Sequence, residues 1–302
     1  MTEKEKAAAK RAEKLEREKE RVHAMRTFEE NAVRERFGGS FPDWPLTDDG
    51  TDRAAEDGLD SGTEAGATGT TEGEKKHRIL LCGIDEAGRG PLAGPVAAGA
   101  CILPLDHDIL YINDSKKLSA KKREELYEVI TREALAWNVA MVSPARIDEI
   151  NILQATFEAM RAAVEGLHRP AAADAFEEAV LNNAPSDKAS SEHKPSACRS
   201  SGGAPDREKI TPDVLVVDAV HIPQIDIPQC DIIKADAQCA SVAAASILAK
   251  VTRDRYMEEM DKRYPGYGFA AHKGYGTKAH IEELKAFGPC PIHRRTFISH
   301  FI

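Results

Sequence analysis

Three short apolar runs in this 302-residue chain end in acids. Ile79-Leu80-Leu81-Cys82-Gly83-Ile84 leads into Asp85 and Glu86, Val214-Leu215-Val216-Val217 into Asp218, and Ile232-Ile233-Lys234-Ala235 into Asp236. Runs of this length and composition read as buried strands, and strand ends of an α/β sheet form the usual site crevice. If the three strands are neighbours, four carboxylates converge, and their repulsion is costly unless divalent cations neutralise it. Ligand oxygens alone favour Mg²⁺ or Mn²⁺ over zinc. Acids also end strands simply because turns are polar, so the spacing reaches as far as a metal site and no further.

The elements that would hold these acids alternate between strand and helix. A second strand is expected over 94–103. After the Asn113-Asp114-Ser115 turn, Ser119 caps a helix running to about residue 137, with Leu118, Leu126, Val129, Ile130 and Ala134 near helical spacing. Residues 138–142 read as a strand and 151–167 as an amphipathic helix. Strands over 214–218 and 231–235 follow, then an Ala-rich helix from about residue 239 to 260 and a last helix over 277–287. Such alternation implies an α/β layered domain.

The flanks differ from this core. Residues 3–36 are dense in Glu, Lys, Arg and Ala, which suits a solvated helix held by ion pairs one turn apart rather than a packed one. Residues 41–74, rich in Asp, Glu, Gly and Thr with Arg53 as the one basic residue, read as a disordered linker. The chain thus divides into an N-terminal extension, 1–76, and a catalytic domain, 77–302. Within the latter, 169–212 reads as a surface insertion with a short helix over 171–181.

Net charge is −9, yet the extension and residues 171–213 hold most of that excess, leaving 22 basic against 23 acidic side chains elsewhere. A neutral core still binds phosphates where its local field is positive. The six cysteines form no C-x-x-C pair, which favours a reducing compartment without structural zinc. No apolar stretch approaches the roughly 20 residues of a membrane span, and the N-terminus lacks the apolar core of a signal peptide. A soluble, cytoplasmic monomer is expected.

Beyond spacing, the run Gly83-Ile84-Asp85-Glu86-Ala87-Gly88-Arg89-Gly90-Pro91-Leu92-Ala93-Gly94 resembles the opening signature of the ribonuclease HII family, G-x-D-E-x-G-R-G-P-L-x-G. Three further motifs follow in the family's order: Asn113-Asp114-Ser115-Lys116-Lys117-Leu118-Ser119, the run from Ala243-Ala244-Ala245-Ser246 to Lys250-Val251-Thr252-Arg253-Asp254, and His272-Lys273-Gly274-Tyr275-Gly276-Thr277. The resemblance covers the chain from about residue 79 to its end, apart from the insertion. It implies a ribonuclease H-like fold, a mixed five-stranded sheet flanked by helices, with a helical C-terminal part that helps grip a duplex. It also places the family's four catalytic and metal-binding acids on Asp85, Glu86, Asp218 and Asp236. The implied reaction is two-metal hydrolysis, with Mn²⁺ or Mg²⁺, of the RNA strand of RNA/DNA hybrids, and nicking of duplex DNA 5′ to an embedded ribonucleotide. Its products carry 3′-hydroxyl and 5′-phosphate ends, and its setting is ribonucleotide excision repair and DNA replication. Two departures stand out: the family often has D-G-N and K-G-D where this chain has Asp218-Ala219-Val220 and Lys234-Ala235-Asp236.

Selecting RNA requires sensing the 2′-hydroxyl, and the Gly88-Arg89-Gly90 turn lets backbone approach a sugar closely. Tyr275, between two glycines, resembles the family tyrosine that stacks on the sugar after the ribonucleotide. Lys116, Lys117, Lys250, Arg253 and Lys273 are candidate phosphate contacts, which position a duplex without reading bases. His272, His280, His293 and His300 lack a zinc spacing with Cys and read as core or surface residues. Two alternatives stay open: a ribonuclease HIII-type nuclease, and a non-catalytic hybrid-binding protein. The first usually carries an N-terminal substrate-binding domain, for which this extension has too few apolar residues. Retention of all four acids argues against the second.

Overall fold

A computed structural model describes residues 2–37, 79–169 and 209–302. The expected linker over 41–74, the short helix over 171–181 and most of the insertion lie outside the described residues. Five strands, β1 (Leu81–Ala87), β2 (Val96–Ile102), β3 (Ala136–Val142), β4 (Val214–Asp218) and β5 (Gln229–Ile232), form one sheet of order β3-β2-β1-β4-β5. β1–β2 and β2–β3 pair antiparallel, whereas β1–β4 and β4–β5 pair parallel. The sheet is therefore mixed, as expected.

β2 is buried at every position because helices cover both faces of the sheet. Val96, Ala98, Ala100 and Ile102 share a core with Ala155, Ala159 and Met160 of α3 (Pro144–Glu165). On the other face Cys101 packs with Ala244, Ala245 and Leu248 of α5 (Ala240–Arg263) and with Leu126 and Ile130 of α2 (Ala120–Glu133). Two glycines set how close α5 can lie. A Cβ at Gly83 would collide with the Ser241 and Val242 backbone, and one at Gly99 with the Ala245 carbonyl.

Three boundaries differ from expectation. α2 is capped by Ser119, whose hydroxyl accepts from Lys122 N at 3.3 Å, but it ends at Glu133, and Ala136 and Trp137 pair with Ile102 and Cys101 instead. Trp137 falls seven residues after Ile130, a helical spacing, so periodicity alone ran the helix on. α3 begins at Pro144, with Ser143 as its cap, and is interrupted at Asn151 (φ 68°, ψ 164°). Asn151 Oδ1 accepts from Leu153 N and Gln154 N at 3.0 and 3.1 Å, so Asn151 caps the second stretch of α3, the part expected over 151–167. Finally, β5 stops at Ile232, and Asp236 lies in the first turn of the short α4 (Ala235–Gln238), not at a strand end.

The largest correction concerns the N-terminus. α1 (Glu3–Phe37) is a 35-residue helix. Its first half is solvated, with ion pairs such as Arg17–Glu13 at 2.5 Å, but from Val22 onward it packs. Val22, Met25, Glu29 and Val33 are buried, spaced one turn apart along one stripe. Val22 and Met25 join the α2–α5 core, and Val33 packs on Leu81, Val214 and Val242. Glu29 accepts from the hydroxyl and backbone N–H of Ser241, capping α5, whose own N-cap residue, Cys239, makes no side-chain cap bond. Burial pushes the Glu29 carboxyl up to about 7 against these bonds. Three apolar side chains and a buried acid inside a charged helix gave no stripe for sequence reasoning to find.

The C-terminal part comprises α6 (Phe269–His272), α7 (Lys278–Phe287), capped by Thr277, and α8 (Arg295–Ile298). Among the described residues no helix is long and apolar enough to cross a membrane.

Candidate active site

Parallel pairing of β1 with β4 brings the first and third acids together. The register sets Ile84 opposite Val217, so Asp85 and Asp218, each next in sequence, stand side by side; Asp218 ends β4, whereas Asp85 and Glu86 lie within β1, still paired with Gly99 and Ala98 of β2, and not after its end as expected. Asp85 lies on the face turned to α5, where it accepts a hydrogen bond from the Ser246 hydroxyl and from Glu86 N at 2.8 Å. Asp218 Oδ1 accepts from Ala235 N at 3.1 Å, pinning the α4 turn that carries Asp236. All four acids thus gather toward the C-terminal ends of the central strands β1 and β4.

Burial and mutual repulsion shape the electrostatics of the cluster. Asp85 is buried, and desolvation, followed by the charge of Glu86 and of Asp236, pushes its carboxyl up to about 8. Burial likewise raises Asp236, helped by Asp114 and Asp218. Carboxylates this reluctant to ionise, with oxygen as their only donor, fit a hard divalent cation. Among the described residues no three such side chains are drawn in to ligand geometry.

The Asn113–Leu118 segment closes the cluster and supplies residues to which the sequence gave no role. Asp114 shares a hydrogen bond with Asp236 and caps the turn Ser115–Lys117 by accepting from Lys116 N at 2.9 Å. The Ser115 and Ser246 hydroxyls lie 2.9 Å apart. Since Ser246 donates to Asp85, Ser115 donates to Ser246, a two-hydroxyl chain ending on the buried acid. Lys116 faces the acids: burial would lower its pKa, but Asp85, Asp114, Asp236 and Glu86 together raise it. α1 braces this segment from behind, with Arg21 donating to Ile112 O at 2.5 Å and Glu18 accepting from Tyr111 N at 2.8 Å.

Beside Glu86 the Gly88-Arg89-Gly90 turn is half buried and half open. Gly88 has φ +90°, and a Cβ there would strike Arg253, whereas a Cβ at Gly90 would meet nothing. The fold therefore requires the first glycine but leaves free space at the second. Arg89 reaches back to Glu86 at 3.3 Å. Leu92 N donates to Gly274 O at 2.8 Å, which sets the loop of Tyr275 against this turn. Tyr275 is exposed, with Lys250 Nζ 5.9 Å from its ring centre.

The five candidate phosphate contacts fare differently. Lys116 and Lys117 are exposed beside the acids. Lys250 and Lys273 are paired, with Asp254 and Glu258, each at 2.6 Å. Arg253 needs correcting: it is fully buried and spends its guanidinium on the carbonyls of Pro95, Ala93 and Lys273, so no phosphate reaches it. Of the histidines, His280 and His293 are core residues with Nε2 atoms 3.1 Å apart, His272 is half-buried and His300 exposed. Cys290 N donates to His293 Nδ1 at 3.0 Å, and His280 Nδ1 lies 2.9 Å from Tyr275 O. One set of neutral tautomers satisfies this chain, which holds the Tyr275 loop from beneath.

The model of the family described as ribonuclease HII matches residues 82–183 and 204–300. The chain belongs to the ribonuclease HII family. It is 50% identical over 220 residues to the ribonuclease HII of Lachnoclostridium phytofermentans, covering 73% of this chain and 70% of that protein. Against the ribonuclease HII of Caldicellulosiruptor bescii it is 44% identical over 223 residues, 74% of this chain and 88% of that protein. The crystal structure of the ribonuclease H2 from Pyrococcus horikoshii superposes with a TM-score of 0.51 at 25% identity, covering 74% of this chain and 99% of that one. The chain is accordingly a ribonuclease H, an endonuclease on its hydrolase fold. The family match breaks off between 183 and 204, inside the stretch read as an insertion.

Two departures from the ribonuclease HII pattern have structural counterparts. Ala219, where the family often has glycine, adopts φ +54°, whereas Ala235, the other glycine position, opens the helical turn α4 with no positive φ, the left-handed residue there being Lys234 at φ +59°. Ala219 directly follows the candidate ligand Asp218, so there a left-handed turn is made without glycine, at the steric cost that a Cβ carries in that region.

Proposed function

We propose that this ribonuclease HII-family chain cleaves the RNA strand of RNA/DNA hybrids and nicks duplex DNA on the 5′ side of an embedded ribonucleotide, leaving 3′-hydroxyl and 5′-phosphate ends. The observation that carries this reading is the set of four acids on the adjoining elements β1, β4 and α4, beside a glycine turn with open space at Gly90. Asp85, Glu86, Asp218 and Asp236 would hold Mg²⁺ or Mn²⁺, with Asp85, the most buried and most repelled, between the others. Two such ions, when bound, lower the pKa of a water and stabilise charge on the attacking and leaving oxygens.

The chain's own residues do the rest. The Gly88-Arg89-Gly90 turn approaches the sugar and senses its 2′-hydroxyl, a group that both donates and accepts. Lys116, held charged by the surrounding acids, meets the phosphate nearest the ions. Lys117 and, after exchanging their carboxylate partners, Lys250 and Lys273 grip flanking phosphates. Tyr275 offers an exposed ring for stacking next to Lys250. The protein works as a monomer in the cytoplasm, serving ribonucleotide excision repair and DNA replication.

A DNA duplex carrying one ribonucleotide, incubated with the protein and Mg²⁺ or Mn²⁺, tests this. A single nick 5′ to the ribonucleotide, absent with chelator and absent from an all-DNA duplex, is expected. A folded protein that binds the hybrid but nicks with neither ion would be a hybrid-binding protein instead.

A further inference from the structure

Two arginines lie fully buried under the loop that joins β1 to β2. Arg294 donates from Nη2 to Gly88 O at 2.5 Å, from Nη1 to Arg89 O at 2.8 Å and from Nε to Gly94 O at 2.9 Å. Arg253 donates to Pro95 O at 2.9 Å and Ala93 O at 3.1 Å, and its third bond, to Lys273 O at 3.0 Å, ties in the Tyr275 loop. Among the described residues neither guanidinium forms an ion pair. Buried charges are ordinarily paired, and an apolar filler of the same volume serves a core as well or better. Two unpaired forks spent on backbone carbonyls of one loop therefore call for a reason beyond packing.

The reason lies in peptide geometry. A trans peptide is planar, with its C=O and N–H on opposite sides. Drawing the Gly88 and Arg89 carbonyls inward onto Arg294 turns the Arg89 and Gly90 amides outward. Among the described residues neither amide has an acceptor within the chain. We infer that Arg294, seconded by Arg253, is a positioning residue for sugar discrimination: its rigid fork fixes which way the Gly88-Arg89-Gly90 peptides face. A lysine cannot do this, since its single nitrogen does not span three carbonyls in a fixed plane. The C-terminal part thereby reaches some 200 residues back to set the recognition turn, and Asp148 seats it by accepting from Arg295 N at 2.7 Å and Thr296 N at 3.0 Å.

This inference rests on the proposed role of the glycine turn, and the test separates the two. Affinities for a duplex with one ribonucleotide and for its all-DNA counterpart are measured by fluorescence anisotropy in Ca²⁺, for wild type, Arg294→Lys and Arg294→Met. The ratio of the two affinities from one preparation cancels any unfolded fraction. Wild type is expected to prefer the ribonucleotide. Both variants should lose that preference by about tenfold, the scale of one hydrogen bond to a well-placed donor, with all-DNA binding unchanged. If both variants fail to fold, Asp148→Ala, which leaves the guanidinium in place but loosens its seat, should reduce the ratio several-fold. A wild type with a preference and variants that keep it would overturn the role of Arg294. A wild type without any preference would overturn the reading of the glycine turn itself.

Discussion

Replacing Asp85 with asparagine removes the charge that the fold tolerates least while keeping the side chain's shape and its bond from Glu86 N. In the metal-free protein burial and the neighbouring acids hold Asp85 up at about 8 against an ordinary value of 3.8. A carboxyl raised by folding contributes stability that is fully present below its unfolded pKa and lost as pH rises through the folded one. The metal-free wild type should therefore weaken steadily between about pH 4 and pH 8. At pH 7 the linkage amounts to at most roughly 4 kcal/mol, and coupling to Glu86 shares part of it. Asp85→Asn should accordingly gain about 2–4 kcal/mol in chelator at pH 7, or roughly 5–10 °C in melting temperature for a chain of this size. Divalent ions should reverse the order by stabilising the wild type and not the variant. Urea and thermal melts by circular dichroism at pH 5 and pH 7, with EDTA or Mn²⁺, read both effects. An Asp85→Asn protein that is less stable than wild type in EDTA, or that gains as much from Mn²⁺, would refute the picture of a cation-seeking cluster.

Other substitutions probe the frame around the site. Glu29, raised to about 7 by burial, penalises the fold as pH climbs from about 4.5 to 7, so Glu29→Gln should be more stable at pH 8 by about 1–3 kcal/mol and indistinguishable at pH 4.5; equilibrium urea denaturation at both values decides. His293 is pushed down to about 4, by burial first and then by His280. Its contribution is present above pH 6.5 and lost as pH falls through about 4, and His293→Gln should flatten that acid limb in a pH series of thermal melts. Ala219→Gly relieves a left-handed residue and should add about 1 kcal/mol in urea denaturation without altering cleavage.

The candidate acids stood out because chemistry-bearing residues sat at the ends of unbroken apolar runs, and the parallel β1–β4 pair brings Asp85 and Asp218 near each other in space. Asp236 was found for a reason that proved incomplete: it stands at the site on a helical turn, fastened by Asp218, and not at a strand end. What stayed hidden depended on contacts between distant segments. Nothing local distinguishes Asp114 from any turn aspartate until it meets Asp236, nor Ser246 from its alanine neighbours until it meets Asp85. Arg253 looked like a phosphate ligand because an arginine in a helical motif is usually solvated, and only the close approach of the 88–95 loop buries it. The packed half of α1 was missed for the opposite reason, since three apolar residues among charges carry too weak a period to announce a docking face.

On the proposed function, Asp85, Glu86, Asp218 and Asp236 form one divalent metal centre. Anomalous diffraction from crystals soaked in Mn²⁺ with a non-cleavable hybrid tests it most directly. The expected result is a pair of Mn²⁺ peaks roughly 4 Å apart, bounded by those four carboxylates. Peaks confined to other residues, or no peak within ligand distance of Asp85, would contradict it.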